Sequence, residues 1–286
     1  MTSLLSSITS GDFTDGVRMV VSGVEKVGKT TFVSQIPNSL FIPCEAGYAT
    51  IKTPKTERLY NFSQVMSLLD EIIAARKANQ FPFKTIIFDS ASATEEFIHD
   101  QVLASDPSWV TGKPKPVSLI IDTALGGYGK GHSKANLLFQ EFLAKCDLLA
   151  SFGKINIVMT CHVFASAVKD PIHGDYTTFE LQLHSPKNER TYGKREMITR
   201  WADIIGFMYQ PITVISSETG NTMAKSLTGA RVLGVSRRPE YVAGSRWPIG
   251  NEIPLPIDDG WNHFAKALHN GSGIDWFNRS LVAKKK

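Results

Sequence analysis

The chain has 286 residues, with 31 lysines and arginines against 27 aspartates and glutamates and 42% hydrophobic residues. That balance excludes disordered and fibrous classes and allows one large α/β domain or two small ones. The net charge of +4 is too small to signal nucleic-acid binding by itself, because such binding needs local basic clusters. Cys44, Cys146 and Cys161 stand at no metal-ligand spacing, so neither a disulfide framework nor a zinc site is expected, and a reducing cytoplasm is the expected setting. The apolar runs fall well short of the roughly 18 residues a membrane span needs, and the Ser/Thr-rich start reads as a flexible N-terminal segment, 1–16, rather than a signal peptide or anchor.

In chain order, a β-branched strand over 17–22 ends at Gly23, and a helix begins in the turn Gly28-Lys29-Thr30. A short strand over 40–44 follows. The next helix spans 62–78, with apolar positions at Val65, Leu68, Leu69, Ile72 and Ile73 on one face. The run 85–89 reads as a buried strand, and a third helix begins after Ser90. Residues 106–133 hold three prolines and five glycines and read as one long loop of the kind that is usually functional. A fourth helix is expected over 134–151 and a fourth strand over 155–161. Alternating polar and apolar residues over 164–195 suggest a hairpin-like insertion. Further strands are expected at 202–209, 211–216 and 231–235, a closing helix at 261–269, and a C-terminal tail over 271–286 whose lysine-rich end, 283–286, reads as disordered. No internal repeat or heptad seam interrupts this order. Strands alternating with helices imply an α/β fold, a mostly parallel central sheet flanked by helices, forming a single domain over 17–270.

The sharpest local signal is Gly23-Val24-Glu25-Lys26-Val27-Gly28-Lys29-Thr30, a match to G-x-x-x-x-G-K-[ST] between a strand and a helix. Gly23 and Gly28 permit the backbone to wrap amide N–H groups around an anion, and the helix N-terminus adds the positive end of its dipole. Lys29 supplies a point charge for the β and γ phosphates, and Thr31 continues the first helical turn. The Thr30 hydroxyl suits Mg²⁺, which prefers oxygen ligands and also needs a carboxylate nearby. Asp89, closing the run Thr85-Ile86-Ile87-Phe88-Asp89, is the candidate for that carboxylate.

Hydrolysis of a bound triphosphate requires a group that orients and deprotonates water. Glu45, directly after the second strand, is the candidate, because the C-terminal edge of such a sheet faces the nucleotide. His162, just past the fourth strand, stands at the same edge and suits a γ-phosphate sensor or a water-positioning group. The expected ligands are therefore ATP and Mg²⁺.

These features together make the chain resemble RecA-like P-loop ATPases, and within them the compact phage ATP-binding proteins that include single-strand annealing recombinases. The resemblance rests on the loop 23–30, Cys44-Glu45-Ala46-Gly47, Phe88-Asp89-Ser90 and Val158-Met159-Thr160-Cys161-His162, spread over about 17–165. Gly127-Tyr128-Gly129, Trp201-Ala202-Asp203-Ile204-Ile205-Gly206-Phe207 and the late segments 231–233 and 241–246 resemble the phage group in particular. By position, the resemblance gives Glu45 the catalytic role, Asp89 the metal-side carboxylate and His162 the polar sensor. The chain departs from the group at Gly244-Ser245-Arg246, where a lysine-Asn-Arg run is usual. The resemblance implies action on single-stranded DNA in recombination or annealing, a homo-oligomer, a single-strand-binding protein as a further partner, and the host cytoplasm as its place.

Two basic segments suit a single-strand path: Lys113, Lys115, Lys130 and Lys134 with Trp109 and Tyr128, and Lys187, Arg190, Lys194 and Arg195 with Tyr192. By resemblance, the loops that carry them leave the third and fourth strands toward the DNA channel. Arg237, Arg238 and Arg246 are candidates for guanidinium groups acting in trans on a neighbour's γ phosphate. The competing expectation is a nucleotide-dependent assembly factor or switch with a protein partner and no nucleic acid. A small-molecule kinase ranks behind both, since no arginine-rich lid accompanies the loop 106–133.

Overall fold

The continuous apolar runs become the centre of a mixed sheet in the computed structural model, which describes residues 15–172, 174–186, 193–216, 222–226 and 230–276. In chain order the elements are β1 (Arg18–Ser22), α1 (Lys29–Val33), β2 (Ser39–Pro43), α2 (Phe62–Lys77), β3 (Thr85–Asp89), α3 (Ala91–Ala104) and α4 (Lys130–Ser151). They continue with β4 (Asn156–Cys161), β5 (Val163–Val168), β6 (Tyr176–Leu181), α5 (Lys194–Trp201), β7 (Ile204–Tyr209), β8 (Ile212–Ser216) and β9 (Thr222–Ser226). The last are β10 (Arg231–Gly234), β11 (Gly244–Ser245), β12 (Glu252–Leu255) and α6 (Gly260–Ser272).

The sheet runs β12-β10-β7-β1-β4-β3-β2, with β11 paired to β7. From β7 to β2 all neighbours are parallel, and β10 and β12 add an antiparallel edge. Parallel strands covered on both faces bury every residue, which is why β3 and β4 are buried throughout. The alternation of side chains divides the interior in two. Val20, Ile86, Phe88, Ile157 and Met159 pack with α2, α3 and α4 in one core. Met19, Val21, Ile87 and Val158 pack in the other with Phe32 of α1, Trp261 and Phe264 of α6, and Trp276.

Local chemistry sets the helix starts. Asn61 caps α2 by accepting from the Gln64 amide at 2.9 Å, and the Gln64 side chain accepts from the Tyr60 amide at 2.8 Å. Ser90 caps α3 by accepting from the Ala93 amide at 3.2 Å, which fixes the turn directly after Asp89.

Several sequence expectations change. Helix α4 begins at Lys130 rather than 134, because Gly129 takes a left-handed conformation and serves as its cap. Lys130 and Lys134 are thus helical. The loop 106–133 is partly packed: Leu119 and Ala124 are buried, and Asp106 accepts from the amides of Ser108 at 2.8 Å and Leu125 at 2.5 Å. The insertion after β4 is an antiparallel β5–β6 hairpin, but its expected end at 195 lies inside α5. Asp15 and Gly16 are tied down by Lys154, Ser151 and the Ala150 carbonyl. The core also continues past 270, with Ile274 and Trp276 buried. The rest of the segment 1–14, residues 187–192 and 277–286 lie outside the described residues.

Candidate functional site

β1 delivers the chain to the C-terminal edge of the sheet, and the loop 23–28 turns it directly into α1. Gly23 (φ 153°) and Gly28 (φ 102°) adopt backbone conformations that a side chain disfavours. A Cβ on Gly28 would also meet the Arg231 guanidinium, so a larger residue here would be strained in its backbone and would have to push that side chain aside. Lys29 folds back over the loop, and its Nζ donates to the carbonyls of Gly23 at 2.7 Å and Val24 at 2.9 Å. Burial pushes the ammonium pKa down, opposed by Glu25 and Asp89.

Asp89 comes to the same edge from β3, two strands away from β1. Its Oδ2 accepts from the Thr30 hydroxyl at 3.0 Å, and its Oδ1 accepts from the Thr160 hydroxyl of β4. Burial raises the Asp89 pKa, Glu45 adds to the rise, and the hydroxyls of Thr160 and Thr30 oppose it. The Asp89 carbonyl in turn accepts from the amides of Cys44 at 2.7 Å and Glu45 at 3.2 Å, which fixes the end of β2. Glu45 projects from that end toward His162, whose Nε2 lies 3.1 and 3.2 Å from the two carboxylate oxygens. This hydrogen bond raises the His162 pKa above its ordinary value against the effect of burial. The other ring nitrogen, Nδ1, is buried without a hydrogen-bond partner among the described residues and stands 3.9 Å from Glu25 of the loop. His162 therefore spans the gap between the loop and Glu45, held by its amide donating to Ser92 Oγ at 3.1 Å.

One edge of the sheet thus presents a buried ammonium, a hydroxyl–carboxylate pair and a histidine–glutamate pair around a glycine-bounded loop. A family model described as an AAA domain matches residues 15–247. The chain belongs to the AAA domain family. It is accordingly a P-loop domain of the nucleotide-binding ATPase type, and its mostly parallel sheet flanked by helices agrees with that core. No curated protein matches the chain.

Outside the loop, the AAA domain distributes the other sequence candidates unevenly. Lys113, Lys115, Tyr128, Lys130 and Lys134 are all exposed, Tyr128 completely. Lys194 is not a surface cation: its side chain is fully buried and its Nζ lies 3.2 Å from Glu95 Oε1. The reason is tertiary, since Glu95 of α3 also accepts from the His184 amide at 2.8 Å and so ties the β6–α5 connection to the helix layer. Arg195 pairs with Glu180 and donates to the Leu183 carbonyl, which commits it to the hairpin base rather than to an open path. Lys187, Arg190 and Tyr192 lie outside the described residues.

The three arginine candidates occupy two places. Arg238 pairs with Glu252 at 2.9 Å and lines a cavity of about 860 Å³ with 24–27 of the loop, Phe207, Tyr209 and Tyr241. Arg246 pairs with the buried Asp203 at 3.1 Å, at the N-terminal end of β7. Arg237 shares a cavity of about 560 Å³ with Arg246, Arg195 and Arg200. Sequence reading passed over two residues at the site. Thr160 looked like one more β-branched strand residue, and Arg231 looked like the start of a strand. Among the described residues, no helix is long and apolar enough to cross a membrane.

Proposed function

We propose that this AAA domain hydrolyses ATP with Mg²⁺ and couples that reaction to single-stranded DNA, as a homo-oligomer in a recombination or annealing role of the phage type. The observation that carries the hydrolytic part is the Glu45–His162 pair, held within 3.2 Å beside the Thr30–Asp89 pair. Glu45 is placed to accept a proton from water at the strand edge, the role of a general base. His162 orients its carboxylate through Nε2 and presents Nδ1 toward the loop, where a γ phosphate would be felt. Lys29, already turned into the loop, needs only to exchange two carbonyls for phosphate oxygens. Asp89 and Thr30 fit Mg²⁺ by their chemistry: both are hard oxygen donors, and Asp89 is a buried carboxyl whose charged form is disfavoured by burial and Glu45 and would be favoured by a bound cation. Bound there, Mg²⁺ supplies the charge that neutralises the β and γ phosphates.

The DNA part is supported by Lys113, Lys115, Lys130 and Lys134, all exposed in the same stretch of chain as the fully exposed Tyr128, a combination of cations and an aromatic face that suits a flexible single strand. The same loop exposes Val117, Val110 and Ile120, which favours the second reading, a nucleotide-dependent switch that docks a protein. Titration of a labelled single-stranded oligonucleotide, with and without a non-hydrolysable ATP analogue and at two salt concentrations, separates them. Coupling is reciprocal, so nucleotide should raise DNA affinity, salt should lower it, and reversing the four lysines should cost about tenfold or more. Affinity indifferent to nucleotide and to charge reversal would leave the protein-partnered switch.

A further inference from the structure

β10 runs antiparallel to β7, so its first residue, Arg231, stands at the C-terminal edge of the sheet beside the loop 23–28 rather than at the far end. Its guanidinium lies so close to Gly28 that a Cβ there would strike Nη1. Arg231 is 7% exposed. Its Nη2 donates to the Ile257 carbonyl at 3.1 Å, and that carbonyl also accepts from Gln35 Nε2 at 2.6 Å, just past α1. The Gln35 side chain accepts from the Trp261 amide at 3.0 Å, so the far side of the fork is fixed to α1 and α6. Nη1 is the nitrogen turned toward Gly28; Nε, which faces the same side as Nη2, is buried and without a hydrogen-bond partner, and among the described residues no carboxylate forms an ion pair with the guanidinium.

An arginine stays cationic when buried, and burying it without an anion is strongly unfavourable in general. Such an arrangement persists when an anion completes it. We propose that Arg231 is a second phosphate-binding cation of the site, acting in cis from the sheet and contacting the phosphate chain where Gly28 and Lys29 hold it. Lys29 approaches that chain from within the loop, and Arg231 approaches it from outside, across Gly28. The burial that lowers the guanidinium pKa, opposed by the exposed Asp258, is then offset by the ligand's own charge. The requirement for glycine at 28 gains a second reason, since any side chain would separate the guanidinium from the phosphates.

This proposal rests on the nucleotide reading and adds one residue to it. The test is calorimetric titration of wild type, Arg231→Met and Arg231→Lys with ADP and with adenosine, together with thermal melting of each free protein. Arg231→Met keeps the buried stem and removes the charge. It should weaken ADP binding about 10- to 100-fold, leave adenosine binding unchanged, and melt at the wild-type temperature or higher. Arg231→Lys, which keeps the charge and loses the fork, should fall between them, and it decides the matter if the methionine variant melts low. Wild-type ADP affinity in both variants would overturn the proposal, as would equal losses for ADP and adenosine. If wild type binds ADP and Lys29→Ala does not, the nucleotide reading stands whatever Arg231 does; a wild type that binds no ADP would overturn both.

Discussion

Asp89 shows what a single buried carboxyl can report. Its pKa lies above the ordinary 3.8 in the folded chain, because burial and Glu45 outweigh two hydroxyl partners and Lys29. A group raised in this way binds its proton more tightly when folded than when unfolded. Its favourable contribution is therefore fully present below 3.8 and is lost as pH rises through the folded value. Asp89→Asn removes that dependence. The melting temperature of Asp89→Asn, relative to wild type in metal-free buffer, should rise as pH is raised from about 4 to 7. Addition of Mg²⁺ and ADP should stabilise wild type and leave the variant nearly unmoved. A difference between the two proteins that is flat in pH would contradict the burial argument. At this scale the loop residues were legible because they are contiguous and each type answers a local need. Arg231 and Lys194 were not. What matters for both is a partner far away in sequence, Gly28 for one and Glu95 for the other, and a strand-opening arginine or a loop lysine carries no sign of it.

Among the elements, β1, β3 and β4 were legible nearly to the residue, since a strand buried on both faces must be apolar throughout. Helix α2 followed from its apolar spacing and α3 from Ser90 before it; the Asn61 cap of α2 was not read from the sequence. Legibility failed where tertiary contacts overrule local signals. Helix α5 carries Lys194, Arg195 and Arg200 in a short stretch that reads as polar loop, yet Ile198 and Trp201 anchor it to the core, and the Trp201 indole donates to Asp147 at 2.7 Å. Strand β12 contains Pro254, which only an edge strand tolerates. The C-terminal stretch read as tail because nothing local marks it, yet Trp276 stacks edge-on against Trp261 at 5.0 Å and donates to Thr85 Oγ1 at 3.2 Å. Trp276→Ala should then cost about 3–5 kcal/mol, the range for emptying an aromatic site. Urea denaturation checks this, and a loss within about 0.5 kcal/mol, the size of a surface substitution, would show that the C-terminal stretch is dispensable.

For the whole molecule, sheet order explains why residues remote in sequence meet. With β4 lying between β1 and β3, the ends of β1, β4 and β3 place Lys29, Thr160, Asp89 and His162 along one edge, and β2 adds Glu45 from beyond β3. Strand β5 continues directly from His162, and its hairpin meets the 238–243 segment through Phe179 and Tyr241. A shift at His162 on sensing a γ phosphate would therefore reach both the hairpin and the cavity beside the loop.

The most direct test of the hydrolytic claim is ATP turnover in Mg²⁺ by wild type, Glu45→Gln and Lys29→Ala, with ATP binding measured on the same samples. The account predicts measurable turnover in wild type, ATP still bound but hydrolysed about 10²-fold or more slowly by Glu45→Gln, and neither binding nor turnover by Lys29→Ala. Glu45→Gln hydrolysing ATP at the wild-type rate would contradict it.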